Sequence, residues 1–139
     1  MKAPYEIIEH TADIAIKANG KSVAESFENA AKGMFDIITD KSEIESTGQY
    51  TIKLKADDLE QLLVDWLSEL LFLHSSKNFV FGFFKVDLDE NKKSLSANVF
   101  GEQYNISKHK IGVEIKAVTY HMLEVRVKRP YHAQVLFDI

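Results

Sequence analysis

Two segments of the chain carry apolar residues at helical spacing. The other patterned segments alternate between apolar and polar residues. The first spans residues 23–38, and the second spans residues 59–71, with leucines around Trp66. Apolar residues that recur every three or four positions form one face of a helix, and that face must be buried against another element. The chain is therefore constrained to pack helices against strands.

Both helical segments begin with residues that favour a helix N-terminus. Ser22 precedes the first segment and is followed three residues later by Glu25, which is the spacing of a capping box. Asp57 and Glu60 show the same spacing before the second segment. We expect Asp57 to cap the second helix, and we expect that helix to run to about His74.

Alternation with a period of two predicts the strands, and it dominates the sequence from Phe79 onward. The predicted strands cover residues 5–9, 13–18, 50–55, 79–88, 95–99, 113–118, 123–128 and 133–139. The expected fold is α+β: a two-layer domain with two main helices packed on one face of a mostly antiparallel β-sheet. At 139 residues, the chain is expected to form one domain over residues 1–139.

Composition excludes several classes of protein. The chain has no cysteine, so it can form neither disulfides nor a thiolate metal site. It has no apolar run of about 18 residues, and its first residues lack the pattern of a signal peptide. We therefore expect a cytoplasmic protein with no membrane partner. The net charge of −4 argues against a general nucleic-acid binder, so little direct nucleic-acid binding is expected.

Charge is distributed unevenly along the chain. Residues 57–69 carry five acidic side chains and no lysine or arginine, whereas residues 103–132 are predominantly basic. Ordinary solvated faces account for most runs of this kind. The alternative is an oriented contact with a charged partner, and in that case Asp65 belongs to an acidic docking face.

The last residues place carboxylates on an apolar segment. Asp138 and the carboxylate of Ile139 adjoin one another after residues 135–137, which have the pattern of a buried strand. Adjacent carboxylates in apolar surroundings repel one another and need a cation. If the last strand lies near the start of the second, Asp13 joins them, and three carboxylates suit a hard divalent ion such as Ca²⁺ or Mg²⁺. The alternative is a turn-forming Asp13 that accepts backbone hydrogen bonds.

Four further residues are candidates for supporting roles or for contact with a partner. His10 precedes Asp13 by three residues and is a candidate for orienting it. Glu114 and Lys116 share one face of a predicted strand, where they either reach an acidic side chain or face water. His121 closes the same block of sequence. No catalytic residue is predicted, because no phosphate loop or Ser/His/Asp order accompanies these residues.

Four blocks in this order resemble the archease family. They are His10-Thr11-Ala12-Asp13, residues 59–71, residues 108–121, and Phe137-Asp138-Ile139. The third block contains Lys108-His109 and the run from Gly112 through Glu114 and Lys116 to His121. The blocks span the chain from end to end, and their ordered set is more specific than any single block.

The resemblance implies a protein cofactor without a reaction of its own. Archeases are small α+β proteins that activate the GTP-dependent tRNA-splicing RNA ligase, promote guanylylation of its active-site histidine and support multiple turnover. The family binds a divalent metal that is commonly taken to be Ca²⁺, with Mg²⁺ and Mn²⁺ as alternatives. By motif match, the ligands are Asp13, Asp138 and Ile139. The implied partner is the RNA ligase, and the implied process is tRNA processing by splicing.

Two rival functions stay open on the residues alone. A chaperone-like RNA–protein adaptor would use the basic stretch between Lys108 and Arg129 and would bind RNA in a salt-dependent way. A small metal-dependent phosphoester hydrolase would use Asp13, Glu114 and His121. It would turn over its substrate without any partner protein.

Overall fold

Strands and helices are interleaved along the chain, and the computed structural model describes residues 3–9 and 12–139. In chain order the elements are β1 (Tyr5–Glu9), β2 (Asp13–Gly20), α1 (Val23–Thr39), β3 (Gly48–Lys55), α2 (Leu59–Lys77), β4 (Phe79–Asp89), β5 (Ser94–Gln103), β6 (Ala117–Arg126) and β7 (Tyr131–Asp138). The predicted α+β class, with two helices packed against antiparallel strands, is confirmed.

The described strands form two sheets. The first sheet has the order β1-β2-β7-β6 and the second has the order β3-β5-β4, and all of these pairs are antiparallel. The prediction placed the strands in one sheet, because alternation shows which side chains are buried but does not show which strands pair. The division into two sheets positions the candidate site, because in the first sheet β7 lies between β2 and β6.

The helix caps follow the predicted chemistry with one shift. Ser22 caps α1 as predicted, and its hydroxyl accepts a hydrogen bond of 3.1 Å from the amide of Glu25. The cap of α2 is Asp58 and not Asp57, since the Asp58 carboxylate accepts a hydrogen bond of 2.7 Å from the amide of Gln61. Either aspartate could cap a helix, and the prediction of Asp57 was wrong by one residue.

The second helix extends past its predicted end at His74 and reaches Lys77. Asn78 then adopts the left-handed conformation with φ 52°, which asparagine tolerates better than most residues. Neither of the helices in the described part of the chain is long and apolar enough to cross a membrane. The extra turn contributes Ser75 to the wall of a groove described below.

The core lies between the helices and the two sheets. Trp66 is fully buried, and its Nε1 donates a hydrogen bond of 3.0 Å to the carbonyl oxygen of Phe27, which ties α2 to α1. Helix α1 packs on β2, β4 and β7 and therefore contacts both sheets, whereas α2 packs mainly on β6. This packing fixes the positions of β2 and β7, which carry the candidate site.

Strand β6 contains an irregularity where the prediction expected clean alternation. Thr119 pairs with Leu136 and Glu124 pairs with Gln134, so residues 120–123 bulge out of the ladder. Met122 in this bulge has φ 59°, a left-handed conformation that costs a methionine about 1 kcal/mol or more. The predicted strand over residues 123–128 is therefore wrong in its bounds, because an alternation pattern carries no signal for a bulge.

The predicted strand over residues 113–118 also begins later than expected. Residues 110–116 belong to no strand, and β6 starts at Ala117. The amides of Gly112 and Val113 donate hydrogen bonds of 2.9 Å to the carbonyl oxygens of Ile38 and Ile37, at the C-terminal end of α1. Helix carbonyls without intrahelical partners thus anchor this extended segment in place of a neighbouring strand.

Candidate metal centre

The register of β2 and β7 brings two of the predicted ligands together. Asp13 is the first residue of β2, Asp138 is the last residue of β7, and the two are directly opposite each other in the antiparallel ladder. Side chains of directly opposite residues lie on the same face, with Cβ atoms about 4.5–5.5 Å apart. Residues far apart in sequence therefore form one group, called here the carboxylate pair.

Hydrogen bonds hold the main chain on both sides of the carboxylate pair. The amide of Lys116 donates to the carbonyl oxygen of Asp138 at 2.8 Å, and the amide of Ile139 donates to the carbonyl oxygen of Ala12 at 3.4 Å. Ile139 therefore continues the ladder beside Asp13, and its carboxyl group follows at the same end of the sheet. The three predicted ligands, Asp13, Asp138 and Ile139, are neighbours in the structure.

Asp13 carries a buried oxygen that lacks a partner. Its Oδ1 accepts no hydrogen bond from the described residues, whereas Asp138 is exposed. A buried polar oxygen without a donor is costly, and like charges directly opposite in a sheet are destabilising. A bound cation would relieve both costs. The surroundings of Asp13 therefore fit a cation site better than a turn in which backbone amides satisfy the carboxylate.

The donor set suits a hard ion. Carboxylate and main-chain oxygens are the ligands that Ca²⁺, Mg²⁺ and Mn²⁺ prefer. Over residues 3–9 and 12–139, no group of three or more His, Asp or Glu side chains is arranged to hold a metal. Two aspartates and the carboxyl group of Ile139 would leave coordination positions for water, which both Ca²⁺ and Mg²⁺ accept. The residues present therefore fit a partly hydrated divalent cation.

Two other candidate residues do not join the carboxylate pair, and the position of a third is not described. His10 lies outside the described residues. Asp65 accepts a hydrogen bond of 2.8 Å from the side chain of Gln61, within α2. His121 lies in the β6 bulge, beyond Thr119, which pairs with Leu136. Because Leu136 precedes Asp138 by two positions, His121 is roughly 7 Å or more from the carboxylate pair along the sheet. The hydrolase hypothesis requires His121 close to Asp13, and this geometry does not support it.

Glu114 and Lys116 lie in the extended segment that precedes β6. The predicted alternation holds only in part, because Ile115 is buried and Glu114 and Lys116 are exposed, but Val113, on the predicted apolar face, is exposed too. Neither side chain forms a salt bridge with any residue in the described ranges. Both are therefore exposed to contact from outside the molecule.

A groove, called here the α2 groove, separates the C-terminal half of α2 from residues 111–118. Its larger cavity measures about 560 Å³, and a second cavity of about 330 Å³ shares Leu71, Ser75 and Lys116 with it. The two cavities therefore form one continuous depression. Sequence analysis did not identify it, because its walls come from a helix and a loop whose proximity is decided by packing.

An ionic cluster around the buried Glu102 and His109, beside the α2 groove, also lacked a sequence signal. The carboxylate of Glu102 accepts hydrogen bonds of 2.7 Å from Nζ of Lys108, 2.7 Å from the amide of Glu45 and 3.0 Å from Nε2 of His109. Burial raises the pKa of Glu102, but these hydrogen bonds outweigh it, led by the one from Lys108, and lower the pKa to about 2. The cluster joins the end of β5 to a loop with no periodic pattern.

The ring of His109 shows how this cluster is ordered. His109 is 2% exposed, and its Nδ1 accepts a hydrogen bond of 3.0 Å from the amide of Asn105. An accepting Nδ1 carries no proton, so the proton lies on Nε2 and is donated to Glu102. Tyr104 stacks on the ring at a centroid distance of 5.8 Å and lines the α2 groove. The cluster therefore holds one end of that groove in place.

Comparison with known proteins decides the family. The model of the Archease protein family (MTH1598/TM1083) matches residues 5–139. The chain belongs to the archease family. The resemblance inferred from the four sequence blocks is therefore confirmed.

Relatives within the archease family match nearly the whole chain. Protein archease from Methanosarcina barkeri is 46% identical over 139 residues, covering 97% of this chain and 95% of the relative. Protein archease from Sulfurisphaera tokodaii is 38% identical over 128 residues, covering 92% of each. The solution structure of Methanobacterium thermoautotrophicum protein 1598 superposes with a TM-score of 0.82 at 35% identity, covering 98% of this chain and 99% of that one. The fold is therefore shared.

In this member of the archease family, replacing Asp13 by asparagine should separate charge repulsion from cation binding. In the presence of a chelator, Asp13→Asn should raise the free energy of unfolding by up to about 1 kcal/mol, because it removes a like charge opposite Asp138. With Ca²⁺ at about 100 times its dissociation constant, the wild type should gain about 2.7 kcal/mol. The variant should gain almost nothing. Urea unfolding with and without Ca²⁺ measures both changes.

The matched control is Asp87→Asn, an exposed strand aspartate of the second sheet that lies opposite Ser96. This control should keep the full stabilisation by Ca²⁺. If Asp13→Asn retains the wild-type response to Ca²⁺, the carboxylate pair is not the cation site.

Proposed function

We propose that the protein is a non-catalytic activator of the GTP-dependent tRNA-splicing RNA ligase. The observation that carries the proposal is the carboxylate pair, in which Asp13 lies opposite Asp138 and has a buried oxygen that no described residue hydrogen-bonds. Membership of the archease family supports the identity of the partner, since that is the activity the resemblance implies. The protein acts on the ligase, and the ligase performs the chemistry.

The residues that would hold a divalent cation, Ca²⁺ in the first instance, are Asp13, Asp138 and the carboxyl group of Ile139. When bound, such an ion supplies positive charge that polarises phosphoryl oxygens. The chain itself sets the spacing of the carboxylates through the β2–β7 ladder. The hydrogen bond from the amide of Lys116 to Asp138 prevents that end of β7 from fraying. A preformed site of this kind favours one conformer of the partner.

The RNA-adaptor alternative depends on the basic stretch between Lys108 and Arg129. Lys108 is paired with Glu102 at 2.7 Å and with Glu45 at 3.3 Å. The guanidinium of Arg126 donates a hydrogen bond of 3.2 Å to the carbonyl oxygen of Arg129. Two of the cations are thus already engaged within the chain. No observation favours this alternative over activation of the ligase.

A guanylylation assay with the cognate ligase and GTP tests the proposed function. The wild-type protein should accelerate guanylylation of the ligase histidine and allow multiple turnover. Asp13→Ala and Asp138→Ala should each reduce the acceleration by at least about tenfold, the factor that corresponds to roughly 1.4 kcal/mol. Asp87→Ala should activate like the wild type. Without the ligase, the protein should show no phosphoester turnover.

A fully active Asp13→Ala, Asp138→Ala double variant would contradict the role of the carboxylate pair. Absence of any acceleration by the folded wild-type protein would contradict the proposed function itself. Circular dichroism of each variant establishes that a loss of activation does not reflect unfolding.

A further inference from the structure

We propose that the α2 groove is the surface on which the RNA ligase docks, and that it receives an extended, apolar segment of the ligase carrying at least one carboxylate. This inference rests on the proposed function and assigns the partner to a face of the molecule. It is carried by the exposed apolar side chains of the groove, by the charge of Lys116, and by the hydrogen bond that joins the extended wall of the groove to Asp138.

Large apolar side chains are exposed along the α2 groove. Phe72, on α2, is 60% exposed, while Ile111 and Val113, on the opposite wall, are 71% and 39% exposed. Phe72 lines the smaller cavity, and the other two line the larger one. Apolar side chains gathered around a depression mark an interaction site more often than apolar residues scattered singly over a surface. A partner that fills the groove would remove all three from water.

The two walls of the α2 groove differ in structure. One wall is a face of α2 and the other is segment 111–116, which belongs to no helix or strand, so a partner segment would lie between a helix and a stretch of irregular chain. The amides of Gly112 and Val113 donate hydrogen bonds to carbonyl oxygens at the end of α1, which fixes the position of the segment. Both walls are therefore anchored before a partner arrives, and docking requires little reorganisation of the chain.

The charges on the extended wall of the α2 groove indicate what the partner segment carries. Lys116 is exposed, lines both cavities and forms no salt bridge with the described residues. A partner carboxylate beside Lys116 would gain a charge-assisted hydrogen bond in a partly dry setting. Glu114 on the same segment would repel a partner carboxylate that lay beside it instead of beside Lys116. This repulsion would set the register of the partner segment.

The extended wall of the α2 groove is joined to the strand that carries Asp138. The amide of Lys116 donates to the carbonyl oxygen of Asp138, and Ala117 lies opposite Asp138 in the ladder between β6 and β7. Ala117 also lines the smaller cavity, so the groove and the carboxylate pair have this residue as a common neighbour.

A second exposed aromatic pair lies elsewhere and is the comparison for this inference. Phe83 is 57% exposed and packs against Phe100 at a centroid distance of 5.6 Å, on the second sheet. These two rings already cover one another in part, and neither lines the α2 groove. Phe83 therefore offers a control of nearly the same exposure as Phe72.

The test measures binding of the full-length ligase to Phe72→Asp, Ile111→Asp and the double variant by calorimetry. Each single variant should weaken binding at least about tenfold, and the double variant should weaken it more. Phe83→Asp should bind within about twofold of the wild type, because a surface residue outside an interface contributes little. The response of unfolding to Ca²⁺ should be unchanged in every variant. Phe72→Ser and Ile111→Ser repeat the test without adding charge.

Three results would overturn the inference while leaving the proposed function standing. In the first, the wild type activates the ligase and the groove variants bind it with wild-type affinity. In the second, Phe83→Asp loses as much affinity as Phe72→Asp. In the third, the groove variants lose affinity for single-stranded RNA instead of for the ligase. If the wild type neither binds nor activates the ligase, the proposed function fails and this inference fails with it.

Discussion

Replacing Gly112 by alanine should lower the free energy of unfolding by about 2–4 kcal/mol. A Cβ atom at this position would lie 2.0 Å from the carbonyl oxygen of Ile37 and 2.9 Å from that of Ile38. Both oxygens belong to the backbone of α1 and cannot change position easily, so the segment around Gly112 must move away from the helix. That movement breaks the two hydrogen bonds of 2.9 Å that anchor Gly112 and Val113 to the helix end.

Urea unfolding measures this loss, and Gly33→Ala provides the control. A Cβ atom at Gly33 would approach side-chain atoms only, at 3.1 Å from Cγ of Tyr5 and 3.3 Å from Cδ1 of Ile16. Alanine within α1 also gains about 1 kcal/mol of helix propensity, so the net change should be small. Wild-type stability of Gly112→Ala would show that the segment does not depend on this anchor.

Gly112→Ala has a functional consequence as well. The anchored segment is one wall of the α2 groove. We expect the variant to bind the ligase more weakly at a temperature where it is still folded, because a displaced wall no longer fits the partner. Its response to Ca²⁺ should fall less, since the β2–β7 ladder, which carries Asp13 and Asp138, is not touched by the change.

Replacing Glu102 by glutamine should lower the free energy of unfolding by about 2–3 kcal/mol at pH 7. The carboxylate holds His109, Lys108 and the amide of Glu45 together in a nearly buried position. Glutamine keeps the shape but loses the charge, so the ammonium of Lys108 is left beside a neutral group. Equilibrium unfolding in urea measures the difference.

Acid should remove this contribution of Glu102. Its pKa is lowered in the folded protein to about 2 from an ordinary value of 4.5, so the unfolded chain binds the proton more readily. The stabilisation is therefore complete above pH 4.5 and is lost as the pH falls from 4.5 towards 2. The difference between wild type and Glu102→Gln should be constant from pH 7 to about 5 and should shrink below that.

Glu45→Gln is the matched control for Glu102, because both carboxylates pair with Lys108. The Glu45 side chain is 64% exposed and lies 3.3 Å from Nζ of Lys108, so its pair should contribute less than about 1 kcal/mol. If the two variants lose the same stability, or if the loss in Glu102→Gln does not shrink in acid, the cluster does not hold the loop as described.

Most of the fold followed from local patterns in the sequence. The stripe around Trp66 and the capping box at Ser22 predicted both helices, and each is buried on the expected face. The prediction of a single sheet was a long-range error, whereas other errors were local. A helix stop at Asn78 and the bulge around Met122 depend on single left-handed residues, which leave no periodic trace.

The candidate site was predictable only in part. The charge argument selected Asp138 and Ile139 from their apolar surroundings, but the addition of Asp13 required a pairing of strands that alternation alone does not specify. Family resemblance supplied that link. Nothing in the sequence indicated that Glu102 is buried with His109, because a loop without a pattern gives no direction for its side chains.

The sequence by itself determined the elements and their buried faces, because hydrogen bonding within a helix and alternation along a strand are properties of neighbouring residues. Only the tertiary structure decided that β7 lies between β2 and β6, which sets Asp13 opposite Asp138 and brings residues 111–118 alongside α2. Strand order is a long-range choice, settled by how the whole core packs. Both the carboxylate pair and the α2 groove are products of that choice.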